Sequence, residues 1–99
     1  MNYHFEWDPA KEQSNIRRRQ LSFHRAASVF RDPNQQTLYD EEHSEQEERW
    51  ITLGIDSTGV LLVVVHTLEQ MSEDAHHIRI ISARKAEPRE VAQYQEREP

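Results

Sequence analysis

Between residues 50 and 67 the chain reads WITLGIDSTGVLLVVVHT, two runs of apolar and β-branched residues separated by Asp-Ser-Thr-Gly. Branched side chains suit a pleated surface. Asp at the first turn position and Gly at the fourth suit a type I turn whose glycine adopts the left-handed bulge conformation. The turn chemistry therefore predicts a hairpin and, with it, a register. Pairing Asp56 with Val60 sets Ile51, Leu53 and Ile55 opposite Val65, Val63 and Leu61 on one face, and Trp50 and Thr52 opposite His66 and Val64 on the other. The first face reads as core. The second, with an aromatic ring and an imidazole side by side, reads as a mixed surface able to carry chemistry.

The other elements follow from caps and breakers. YHFEW is a short alternating strand ended by Asp8-Pro9, an N-cap followed by a residue suited to the first helical position, so a helix is expected over 9–19. It has few apolar positions and ends at RRRQ. Ser22 caps a second helix with a stripe of Phe23, Ala26, Ala27, Val29 and Phe30, and Asp32-Pro33 stops it. Residues 36–40 form a short strand, LEQMSEDA reads as a loop into a strand at 76–83, and EPREVAQYQER is a closing helix with Pro88 in its first turn. Strand, two helices, antiparallel sheet and helix together make an α+β sandwich. At 99 residues and 35% apolar content the chain is one domain, 1–99, with a small core that a partner would help to stabilise.

Composition excludes several classes. With no cysteine there is neither a disulfide framework nor a thiolate metal site, and a reducing compartment is the simpler setting. No run approaches the roughly 20 apolar residues of a membrane span, and MNYHFEWDPA lacks the pattern of a signal peptide, so a cytoplasmic protein is expected. Gly54 and Gly59 are the only glycines, too few for a phosphate-cradling loop. His76 and His77 would point to opposite faces of a strand and no HExxH spacing occurs, so neither a metal nor a cofactor is expected.

The net charge of −6 is unevenly divided. Residues 1–36 carry six basic and four acidic groups, residues 37–74 one against ten, and residues 75–99 five against four. The run DEEHSEQEE, Asp40 to Glu48, is the acidic centre, and Arg17, Arg18 and Arg19 are the densest basic cluster. Both are either solvated surface, or the acidic segment faces away from a polyanion that the arginines face.

A sharper signal lies in HHIRIISARKA, residues 76–86. In a regular strand Ile78 and Ile80 face one way while Arg79 and Ile81 face the other. A buried unpaired guanidinium is very costly, so Arg79 meets a carboxylate, lies on an open face, or awaits an anion. Arg84 is five residues on, an odd separation that only a bulge or the strand's end can bring to the same side. The strand is expected to end near Ala83. Structural ion pairs and phosphate binding are the two readings, the second suited to a planar group with five donors.

Several blocks in order, FEWDPAK, SF followed by AASVFRDP, DEEHSEQEERWITLG, LLVVVHT and IRIISARKA with a downstream Tyr94, resemble the BrnT toxins of BrnT–BrnA type II toxin–antitoxin systems. The chain departs from that pattern at Arg18, Arg19 and Gln20, where the family commonly has Lys-His-Gly. The resemblance implies a RelE-like fold and metal-independent RNA cleavage that inhibits translation. It also implies neutralisation by a BrnA-like ribbon-helix-helix antitoxin, two toxins with two antitoxins, and contact with operator DNA only through that partner. Such a ribonuclease lets the ribose 2′-hydroxyl attack the neighbouring phosphate, and must stabilise phosphorane charge and manage two proton transfers. Arg79 and Arg84 are the candidate phosphate-stabilising cations and His66 the candidate proton carrier. Lys11, Arg18, Arg19 and Lys85 are candidate backbone contacts, Trp50 a base-stacking platform and Tyr94 a weaker candidate acid. His66 as a partly buried strand residue, Tyr94 packed on the sheet and Trp50 as its anchor are the structural alternatives. The functional alternative is a non-catalytic antitoxin-binding module acting as a corepressor.

Overall fold

In the computed structural model, which describes residues 2–96, the first strand β1 (Asn2–Trp7) hands over to helix α1 (Pro9–Arg19) at Asp8. The Asp8 carboxylate accepts the Ala10 N–H at 2.8 Å, with Pro9 in the first turn. Helix α1 stops at Gln20, whose φ of 58° is left-handed, a conformation that costs a residue with a side chain about 1 kcal/mol. Ser22 caps α2 (Phe23–Ser28) by accepting the Arg25 N–H, and a 3-10 turn at Val29–Arg31 extends it to Asp32.

The hairpin of β3 (Trp50–Ile55) and β4 (Leu61–His66) has the expected register, from Ile55 opposite Leu61 to Trp50 opposite His66. Gly59 has φ 88° and its N–H reaches the Asp56 carbonyl at 3.0 Å. The buried Asp56 side chain organises the turn. One oxygen accepts from the Thr58 N–H, the Thr58 hydroxyl and the Val60 N–H, and the other accepts from Arg25 Nε at 2.8 Å, tying α2 to the hairpin. Burial pushes this carboxyl's pKa up, but the donors more than offset it and hold it below the usual carboxylate value.

The remaining elements are β2 (Gln36–Tyr39), β5 (Glu69–Ser72), β6 (Ala75–Lys85) and α3 (Pro88–Gln95). The sheet order is β1-β6-β4-β3-β2, with β5 also on β6. All pairs are antiparallel except β1 with β6, so the sheet is mixed. Two boundaries differ from expectation. Part of the expected loop is β5, wholly exposed and joined to β6 through its backbone, and β6 runs on to Lys85.

The face read as core does hold a small buried cluster, Leu53 and Val63 with Tyr94, but the face read as a mixed surface is the more deeply buried of the two. The face bearing Thr52, Val64 and His66 is fully buried, because the stripe of α2 and its 3-10 turn (Phe23, Ala26, Val29, Phe30) packs there with Leu21, Leu62, Ile78, Ile80 and Ala83. On the opposite face α3 covers only part of the sheet, setting Tyr94 against Leu53 and Val63 and leaving Ile55 39% exposed. Both faces are apolar enough to be core, and the helices choose. Among the described residues no helix is long and apolar enough to cross a membrane.

His66 is part of the larger core. Its Nδ1 is 2.8 Å from the Thr67 carbonyl, which can only accept, so Nδ1 carries the proton. Nε2 then accepts from the Thr52 hydroxyl at 2.7 Å, and the Thr52 oxygen accepts from the Thr37 hydroxyl at 2.8 Å. Burial lowers the His66 pKa from 6.5 to about 4. The unfolded chain therefore binds more protons between these values, so the stability that neutral His66 contributes is complete above pH 6.5 and is lost as pH falls through about 4. Urea unfolding at pH 7 and pH 4 should show the natural chain losing ~3 kcal/mol more than a His66→Gln variant. Equal losses would contradict this assignment.

Candidate active site

Strand β6 decides which side chains share a surface. Val65 pairs with Ser82, but the next residue, His66, pairs with Ile80, so Ile81 is an extra residue in the ladder. Before this bulge Ile78 and Ile80 enter the buried core and Arg79 faces away from it. After it Ala83 enters that core opposite Val64, so Arg84 faces away with Arg79. The odd separation is absorbed, and both arginines stand on the face that α3 leaves partly open.

Their partners differ in kind. Arg84 makes a two-pronged contact with Glu90, Nη1 to Oε1 at 2.8 Å and Nη2 to Oε2 at 2.9 Å. The same carboxylate receives the Glu87 N–H in the capping box that starts α3. The hydrogen bonds to Arg84 hold the Glu90 pKa below its usual value, and those to Glu90 raise that of Arg84. Arg84 therefore docks α3, and it also borders a groove of about 720 Å³ floored by Ile51, Leu53, Val63 and Val65.

Arg79 uses only Nη2, which lies 2.6 Å from each oxygen of Glu47. Among the described residues its Nε and Nη1 carry no hydrogen bond, so three N–H donors are free. Glu47 belongs to the acidic run, which folds over the open face rather than away from the arginines. Arg49 Nε lies 3.9 Å from Glu47. The hydrogen bond from Arg79 lowers the Glu47 pKa; burial opposes it, and the charges of Arg79, Arg49 and Lys11 add smaller lowering contributions. The charges of cations from α1, β6 and the segment before β3 thus all act on one carboxylate. Two residues before Arg79, on the same side of β6, His77 Nε2 sits 3.0 Å from Glu6 and Nδ1 4.0 Å from Glu69.

Of the residues singled out by sequence, Lys11 reaches Glu47 through its charge, and Arg79 and Arg84 share this face of the sheet. His66 does not: it is fully buried on the other side of the sheet, with both ring nitrogens bonded. Trp50 lies on that same side, half-buried against Tyr39 at a ring separation of 5.2 Å. Tyr94 is buried on Leu53 and Val63 and donates its hydroxyl to Asp32, so it packs and ties α3 to the strand entry. Lys85 falls opposite Leu62 at the end of β6, on the side away from Arg84, and Arg18 and Arg19 are exposed at the end of α1. Glu47, Arg49 and His77 were not singled out. Only His77 had a local signal, an even separation from Arg79.

The model of the family described as "Ribonuclease toxin, BrnT, of type II toxin-antitoxin system" matches residues 7–90. The chain belongs to the BrnT family. The crystal structure of the Brucella abortus ribonuclease toxin BrnT, at 1.1 Å, is 18% identical with a TM-score of 0.57, over 88% of this chain and 99% of that one. At that identity the likeness shows a shared fold. No curated protein sequence matches the chain. Membership of the BrnT family makes this a ribonuclease toxin of the type II class, with an antitoxin as its partner.

The two arginines should separate on stability. Arg84→Ala leaves Glu90, whose side chain is 16% exposed, without its fork and should cost about 1–2 kcal/mol in urea unfolding. Arg79→Ala removes a more exposed pair and should cost less than about 1 kcal/mol. Equal destabilisation would show that Arg79 is also structural.

Proposed function

We propose that this BrnT-family chain cleaves RNA without a metal ion and thereby blocks translation. The carrying observation is Arg79, a guanidinium on an open sheet face with three N–H donors unused among the described residues, with Arg49 3.9 Å from the Glu47 it contacts and the charge of Lys11 felt by the same carboxylate. In-line attack of a ribose 2′-oxygen on the adjacent phosphate adds charge to the non-bridging oxygens as a phosphorane forms. Arg79 meets that charge with directed donors, and Lys11 and Arg49 supply the field that draws the RNA backbone in. Arg84 contributes positive charge further along the same face while holding α3. The antitoxin is a BrnA-like ribbon-helix-helix protein, two copies with two toxins, and it alone contacts operator DNA. Light scattering of the co-expressed pair tests that assembly, and a mass of one copy of each would contradict it.

The second reading, a non-catalytic module that binds the antitoxin and acts as a corepressor, draws on one fact: both arginines are engaged by carboxylates, Glu47 and Glu90. Incubation of the purified chain with RNA in excess chelator separates the two. Cleavage should persist in chelator, and Arg79→Ala should slow it by a factor of ~10²–10³ with its urea unfolding little changed. An intact RNA substrate together with tight antitoxin binding would favour the module.

A further inference from the structure

A metal-free transesterification needs a base beside the 2′-hydroxyl and an acid beside the leaving 5′-oxygen. The 2′-hydroxyl and the scissile phosphate are neighbours, so the base must sit next to the group that holds the phosphate. His66, buried on the opposite side of the sheet, cannot be either group.

We propose that Glu47 and His77 are the proton-transfer pair: Glu47 takes the proton of the 2′-hydroxyl, and His77 gives one to the 5′-oxygen. This rests on the ribonuclease reading above. Glu47 is in direct contact with Arg79, both oxygens at 2.6 Å, and its side chain is 40% exposed and open to a ribose. Arg79, Arg49 and Lys11 keep it ionised at neutral pH. When a phosphate binds Arg79 it competes for the guanidinium, which loosens the hold on Glu47 and raises the carboxylate's affinity for a proton just as the 2′-hydroxyl must lose one.

His77 is reached by geometry. It shares a face of β6 with Arg79, two residues and about 7 Å away along the strand, so both side chains can reach one phosphate. Glu6, which stands opposite Arg79 in the β1–β6 ladder, holds Nε2 at 3.0 Å; Glu69 of β5 lies 4.0 Å from Nδ1; and His4 of β1 is its partner in register. Two carboxylates thus orient the ring. In the step itself the O2′–P bond forms and the P–O5′ bond breaks. One proton passes from the 2′-hydroxyl to Glu47 and one from the His77 ring to O5′. The products are a 2′,3′-cyclic phosphate and a 5′-hydroxyl, and exchange with water resets both groups.

The competing role for Glu47 is a plug that merely fills the anion site, and it predicts a change of the opposite sign. The test uses the full chain in chelator on a transcript whose cleaved bond has been mapped, and on an oligonucleotide with a 5′-bridging sulfur at that bond, whose thiolate leaves without a proton. Glu47→Gln should slow cleavage of both substrates by a factor of ~10²–10⁴. His77→Ala should slow the oxygen substrate comparably and cleave the sulfur substrate within a few-fold of the natural chain, with thermal melts confirming that both variants fold. Glu47→Gln cleaving as fast as or faster than the natural chain overturns the proposal, as does His77→Ala that is unimpaired or not rescued by sulfur. If the natural chain cleaves no RNA, the ribonuclease reading itself fails, and this inference with it.

Discussion

A single buried carboxylate, that of Asp56, sets the geometry on which the rest of this fold depends. Its oxygens collect two N–H groups, a hydroxyl and a guanidinium, and through them the turn, the β3–β4 register and the seat of α2 are determined together. A one-residue slip would exchange every side chain between the faces, placing Ile51 and Val65 under α2 and His66 in solvent. With the register held, Thr52 can satisfy the imidazole of His66, and the edge of β4 becomes the template along which β6 is laid. The bulge at Ile81 arises on that edge, and it alone brings Arg79 and Arg84 to one side.

How much of this was legible follows the range of the interactions. Turn chemistry at residues 56–59, the Asp8 and Ser22 caps and the Pro88 helix start are contacts within a few residues, and each reads directly from the chain. The assignment of faces was not legible, because an aliphatic row lies on both sides of the hairpin and the choice belongs to the helices. Thr52 and His66, diagonal neighbours in the predicted register, were the available clue that the polar residues of the second face could satisfy one another. The bulge had no marker: neither glycine nor proline stands near Ile81, and the mismatch exists only between β4 and β6. Strand β5 is exposed on both sides and so leaves no alternating pattern.

The candidate site depends on contacts of still longer range. Arg79 was readable by parity, yet its partner Glu47 lies in a run of carboxylates that composition marks only as acidic. Net charge conceals such an arrangement, since ten acidic groups in the middle of the chain coexist with a local convergence of Arg79, Arg49 and Lys11 on one of them. The local field, rather than a pI of 5.4, governs what an RNA phosphate would meet. The two arginines divide the work of the face: Arg84 is committed to Glu90 and α3, while Arg79 keeps donors in reserve behind a single exposed contact.

The most direct measurement of this account is a crystal structure of the chain with a short RNA made uncleavable by a 2′-deoxy substitution. A backbone phosphate is expected on the open face within hydrogen-bond distance of Arg79 Nε or Nη1, with Glu47 beside the 2′ position. Phosphates lying along Arg17, Arg18 and Arg19 instead, with the contact between Arg79 and Glu47 untouched and the open face empty, would contradict it.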